Sequence, residues 1–214
     1  MRVDIDNWQK RGYLISSGSG AHEGLIIHGY GGCKEEILGL AVGLAARLPL
    51  RLLLFDLPGH GSAAEEPLTL AAAREKVAAA VAALDEPAFF VGHSLGARVG
   101  LLSGLELAVC ISMPGAARFE GSRADLMRTL RVRQVNEAAP LSGLLEVLAN
   151  GAAPAARTQL LCAGRELESV TELAAAWRGQ GIPCIEVEGS GHNDIVSVPL
   201  TWEVTAAWLK DNLD

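Results

Sequence analysis

The sequence predicts an α/β protein: a three-layer α/β/α sandwich on a mostly parallel sheet, with a short helical insertion. Three observations point there. Apolar strand-like runs alternate with helical segments along most of the chain, a rhythm that argues for a parallel sheet covered on both faces. Half of the 214 residues are hydrophobic, enough for a large buried core. The length suits one domain over residues 1–214 with a modest insertion.

The elements follow in order. Gly12 to Ser16 and Glu23 to His28 read as early strands, joined by the turn-rich Ser17-Gly18-Ser19-Gly20. Lys34 to Leu48 reads as a helix. Arg51 to Phe55 is a short apolar strand that ends at Asp56-Leu57-Pro58-Gly59-His60-Gly61. Leu68 to Leu84 is an Ala-rich helix with Arg74, Glu75 and Lys76 on its wet face. Ala88-Phe89-Phe90-Val91 supplies a strand, and Leu95 to Leu105 the helix after it. Leu107 to Met113 is another strand, closed by Pro114-Gly115. Thr158 to Ala163 and Pro183 to Val187 are the last two strands, with helices at Val170 to Arg178 and Leu200 to Asn212.

Residues 117–157 break the rhythm and are too long for a simple loop. They read as a small helical lid over the sheet's C-terminal edge. Arg118, Arg123, Arg128, Arg131 and Arg133 face only Glu120 and Asp125 there. That excess suits either a solvated helix face or an acidic substrate, since Arg binds carboxylates bidentately. The Ala and Leu content fits a short apolar acyl group equally well.

Bulk properties exclude several classes. A net charge of −7 and a pI near 5.3 argue against nucleic-acid binding. No apolar run reaches a membrane span, and Met1-Arg2-Val3-Asp4-Ile5-Asp6-Asn7 lacks the apolar core of a signal peptide. Cys33, Cys110, Cys162 and Cys184 show no metal-like pairing. A reduced cytoplasmic setting is expected, with no metal and no organic cofactor. Oligomeric state is not legible; Trp8, Trp177, Trp202 and Trp208 read as core.

The chemistry concentrates at Gly92-His93-Ser94-Leu95-Gly96. This fits G-x-S-x-G between an apolar strand and a helix, the sharp turn that presents a serine hydroxyl as nucleophile. A serine needs a base to take its proton, most often His. Of five histidines, His192 lies in the glycine-rich Gly189-Ser190-Gly191-His192-Asn193-Asp194, placed after the last strand and on the same sheet edge as Ser94. The negative oxygen of an acyl-transfer transition state needs pre-aimed N–H donors. His28-Gly29-Tyr30-Gly31-Gly32 follows a strand and precedes a helix, so the amides of Tyr30 and Leu95 are the expected pair. No Lys-Ser/Thr pair follows these glycines, which argues against a phosphate loop. His28, Gly29 and His93 are candidates for lining the substrate pocket.

Together these motifs resemble the α/β-hydrolase superfamily over nearly the whole chain. They are His28-Gly29-Tyr30-Gly31-Gly32, Asp56-Leu57-Pro58-Gly59-His60-Gly61, Gly92-His93-Ser94-Leu95-Gly96 and Gly191-His192. The resemblance implies a structural role for the Asp56–Gly61 turn. It also implies a carboxylate soon after the seventh strand to orient the histidine. Thr158 to Gly164 is followed by Arg165-Glu166-Leu167-Glu168-Ser169, with no Asp. Alignment on the next helix favours Glu166, with Glu168 as rival and Glu120 and Asp125 further off. Asp194 is too near His192 in sequence for an easy partnership. The implied activity is a serine hydrolase cleaving an ester or thioester of a small soluble molecule through an acyl-enzyme. Carbon–carbon bond hydrolysis, elimination, perhydrolysis and a non-catalytic small-molecule receptor are the alternatives on this scaffold.

Overall fold

In the computed structural model, which describes residues 2–8, 12–115, 135–150 and 153–213, eight strands form one sheet. They are β1 (Val3–Trp8), β2 (Gly12–Ser17), β3 (His22–Ile27), β4 (Leu50–Phe55), β5 (Pro87–His93), β6 (Leu107–Ile111), β7 (Arg157–Arg165) and β8 (Cys184–Gly191). Their spatial order is β1-β2-β4-β3-β5-β6-β7-β8. β1 pairs antiparallel with β2, and β2 with β4. The ladders from β4 through β3, β5, β6 and β7 to β8 are parallel.

The described helices are α1 (Leu38–Ala45), α2 (Leu70–Ala82), α3 (Leu95–Gly100), α4 (Ser142–Ala149), α5 (Glu168–Gly179) and α6 (Pro199–Leu213). Successive strand residues point to opposite faces, so each central strand feeds two cores. Leu25, Ile27, Leu53, Phe55 and Phe90 pack with residues of α2 to α5. Ile26, Leu52, Leu54, Phe89 and Val91 pack with α1 and α6. The result is the expected three-layer sandwich. Among the described residues no helix is long and apolar enough to cross a membrane.

Several boundaries differ from the sequence reading. β1 was not expected. Its Val-Asp-Ile-Asp-Asn-Trp alternates, but its middle four residues are exposed at the sheet edge, and such charged edges discourage further pairing. α1 starts at Leu38 rather than Lys34. The backbone N–H of Lys34 donates to Asp56 Oδ1 (2.8 Å) and its ammonium to Oδ2 (2.7 Å), which ties the first turn to the neighbouring loop. α3 ends at Gly100 and passes through a 3₁₀ turn, Leu101–Ser103, to Gly104 in the left-handed region (φ 75°). β8 runs four residues past Val187, so Gly189 to Gly191 belong to the strand rather than to a loop. In the insertion α4 is helical, as expected. Arg118, Glu120, Arg123, Asp125, Arg128, Arg131 and Arg133 lie outside the described residues.

Candidate active site

Ser94 stands between the end of β5 and the start of α3 with φ 52° and ψ −116°. That conformation is sparsely populated for a non-glycine residue and stores strain of order 1–3 kcal/mol. The flanking glycines make the turn possible. A Cβ on Gly92 would lie 2.5 Å from the backbone of Ala97, and one on Gly96 would overlap the carbonyl oxygens of Ile27 and His28. The Ser94 N–H donates to Ile111 O (2.8 Å), anchoring the turn to β6. Leu95 opens α3, so its N–H belongs to the first turn, where helical amides lack intrahelical acceptors. The His28–Gly32 loop passes close by, since a Cβ on Gly29 would sit 3.3 Å from Ser94 Cβ. The two segments expected to donate N–H groups therefore flank the serine.

β7 and β8 deliver the partners of Ser94. Their register shifts once, between Ala163 and Arg165, and then pairs Arg165 with Gly191. The next residue on each strand is Glu166 and His192, which leave the sheet side by side. His192 Nδ1 lies 2.5 Å from Glu166 Oε1, and His192 Nε2 lies 3.1 Å from Ser94 Oγ. Glu166 is the carboxylate brought to the histidine; Glu168 is exposed at the first residue of α5. Asp194 instead accepts from the Gly191 N–H (2.5 Å) and shapes the His192 loop.

Glu166 sits in a fully used acceptor site. Its side chain is 1% exposed. Oε2 accepts from the Ser112 hydroxyl and from Ala163 N–H (3.2 Å), while Oε1 also accepts from Leu167 N–H (2.9 Å). Burial alone would raise the carboxyl pKa. The hydrogen bonds from His192 and Ser112, the His192 charge and the Leu167 amide outweigh it and hold the group below the usual carboxylate value. Ser112 was missed in the sequence. Its one signal is that it is the polar residue in the otherwise apolar run Leu107 to Met113, just past the end of β6.

The remaining histidines divide. The His93 Nε2–H donates to the backbone carbonyl of His192 (2.7 Å), joining the Ser94 turn to the other loop. Burial and the His192 charge press its pKa down to about 4, so the ring is neutral. His93 also lines a cavity of about 480 Å³ with Gly29, Tyr30, Glu36, Asn193 and Asp194. Neither Ser94 nor His192 lines that cavity. His28, expected at the pocket, is fully buried and does not line that cavity. Its Nδ1–H donates to Gly29 O (2.8 Å), and its Nε2 accepts from Leu57 N–H (3.0 Å). Both nitrogens are thus used by a neutral ring, whose pKa burial pushes down to about 4. The nearby Asp56, 3.7 Å away, is therefore not its ion-pair partner. Asp56 serves the Lys34 ammonium and the Ser62 amide and hydroxyl (each 2.8 Å), in keeping with a structural turn. Tyr30 OH donates to Glu137 Oε2 (3.0 Å), which ties the glycine loop to the insertion.

Comparison with known proteins agrees with this fold. No curated protein matches the chain in sequence. The structure of TT1662 from Thermus thermophilus is similar at 21% identity and a TM-score of 0.67, over 99% of this chain and 98% of that one. A thioesterase domain from the curacin biosynthetic pathway aligns at 15% identity and TM-score 0.65, covering 97% and 99%. MGS-MChE2, an alpha/beta hydrolase enzyme from the sediment metagenome of the Mar Chica lagoon, Morocco, aligns at 15% and 0.66, covering 99% and 100%. At such identities the likeness is one of fold. The model of the alpha/beta hydrolase family, however, matches residues 25–151, the stretch that holds the glycine loop, the Asp56 turn and the serine elbow, and by that match the chain belongs to the alpha/beta hydrolase family.

Proposed function

We propose that the protein is a serine hydrolase acting on an ester or thioester of a small molecule. The observation that carries this reading is the unbroken chain Ser94 Oγ–His192 Nε2 (3.1 Å) and His192 Nδ1–Glu166 Oε1 (2.5 Å). Ser94 attacks the carbonyl carbon while its proton passes to His192 Nε2. Glu166 holds the ring with Nδ1–H toward itself and stabilises the imidazolium. The Tyr30 and Leu95 amides receive the negative oxygen. The imidazolium then protonates the leaving alcohol or thiol. Water, deprotonated by His192, hydrolyses the acyl-serine and restores the enzyme. No step calls for a metal or organic cofactor.

Two further points support catalysis over passive binding. Glu166 is desolvated and supplied with four donors, and Ser94 is held in a strained conformation. A receptor needs neither. The test is intact mass after a fluorophosphonate probe. One adduct on the wild type and none on Ser94→Ala is expected, together with turnover of p-nitrophenyl butyrate by the wild type only. A folded wild-type protein that takes no adduct and turns over no ester refutes the reading.

A further inference from the structure

Arg98 carries a buried charge that the proposed chemistry leaves unused. It lies on α3, four residues after Ser94, and is only 6% exposed. Its Nε–H donates to the carbonyl oxygen of Pro114 (2.8 Å). Among the described residues it has no other hydrogen bond and no carboxylate partner, although a guanidinium offers five N–H donors. Two facts place its head at the functional edge of the sheet. Helical side chains lean toward their helix N-terminus, here toward the Ser94 turn. Pro114 lies just beyond the C-terminal end of β6, two residues after Ser112, whose hydroxyl donates to Glu166.

A buried guanidinium stays ionised, and burying it without a counter-charge is costly. Burial opposes its charge, and among the described residues only the Cys110 thiol offsets that. If Arg98 only packed against β6, Met or Leu would fill the space without the desolvation cost. A counter-anion arriving with the substrate removes the penalty. Ser94 caps α3 and Arg98 lies in the last turn of that short helix, about one helical turn further along its axis, a separation suited to a short acyl chain. The planar guanidinium matches a carboxylate in two parallel hydrogen bonds.

We propose that Arg98 receives a carboxylate carried by the acyl chain of the substrate, so that the preferred ester is a half-ester of a short dicarboxylic acid. The proposal rests on the serine-hydrolase reading above. The test compares p-nitrophenyl hemisuccinate with p-nitrophenyl butyrate, equal in acyl length and different in charge. The wild type should favour hemisuccinate in kcat/KM by roughly 10- to 100-fold, the range of one charge-assisted contact. Arg98→Met should collapse that ratio to about one, and Arg98→Lys should retain part of it. A wild-type ratio at or below one overturns the proposal even if both variants fail to fold. So does an Arg98→Met protein that keeps the ratio.

A second measurement separates this idea from the activity itself. Ser94→Ala protein, with or without Arg98→Met, is titrated with monomethyl succinate and followed by NMR. Binding that weakens tenfold or more with Arg98→Met supports the carboxylate site, whether or not any ester is turned over. Equal binding by the two proteins, or none by either, overturns it. Failure of the fluorophosphonate probe, by contrast, strikes only the serine-hydrolase reading.

Discussion

Replacing Glu166 with glutamine keeps the side chain's size and removes its charge. The donors around it decide how the amide would sit. Oε2 receives two donors, Ser112 and Ala163 N–H, so the amide oxygen belongs there. The NH₂ group must then take the place of Oε1, facing His192 Nδ1 and the Leu167 N–H. A donor there forces the ring into the tautomer with its proton on Nε2, toward Ser94, which cannot take the serine's proton. The imidazolium of the transition state also loses its counter-charge. For charges about 4 Å apart at an effective dielectric near 20, that attraction is worth about 4 kcal/mol. On this basis kcat should fall by roughly 10³-fold with little change in KM, because the lost interaction belongs to the transition state. The assay is steady-state hydrolysis of p-nitrophenyl butyrate, with Glu168→Gln measured in parallel. Glu168 is exposed on α5, and its variant should stay within about twofold of wild type. Glu166→Gln within tenfold of wild type would refute the argument. A large loss in Glu168→Gln alone would move the acid to that residue.

Other perturbations test the surrounding structure. Ser112→Ala removes one of the donors to Glu166. It should lower kcat/KM about tenfold, equal to about 1.4 kcal/mol, with a melting temperature near wild type; an unchanged kcat/KM would show that the contact is idle. Asp56→Asn leaves the largely buried Lys34 ammonium with only the half-exposed Glu35 carboxylate (2.9 Å) as counter-charge, so urea unfolding should show a loss of about 3 kcal/mol, the low end for breaking a buried pair. A loss below 1 kcal/mol would mean that the pair contributes no net stability. Acidification tests His28 and His93, whose pKa values burial lowers from 6.5 to about 4. Unfolding frees both to take a proton near pH 6.5, so their contribution is complete above 6.5 and drains away as the pH falls toward 4. Each accounts for about 1.4 kcal/mol per pH unit, so unfolding free energies from urea titrations should fall between pH 6.5 and 4.5 with a combined slope near 3 kcal/mol per unit. A flat profile would show that the rings are solvated or already charged.

The parts of the site readable in the sequence are those whose requirements are local. A serine in a strained turn needs glycines at Gly92 and Gly96 because neighbouring backbone occupies their Cβ positions, and that need is written into five consecutive residues. The acid is different. Glu166 and Glu168 are two residues apart in one loop, and nothing local separates them. The β7–β8 ladder does, by pairing Arg165 with Gly191 so that Glu166 and His192 emerge together. Register depends on long-range pairing, and a slip of one residue would turn every side chain to the opposite face. The sequence reading ended β8 at Val187 because Glu188-Gly189-Ser190-Gly191 looks like a turn, which hid the ladder that sets Glu166 beside His192. The same blindness explains β1, whose exposed aspartates mask its alternation, and the late start of α1, set by Asp56 across twenty-two positions. Hydrophobic periodicity reports what is buried on a regular face. It falls silent where strands run out into polar residues at the C-terminal edge of a parallel sheet. Ser94, Ser112, Glu166 and His192 all lie along that edge, so the candidate site sits where the periodic signal is weakest.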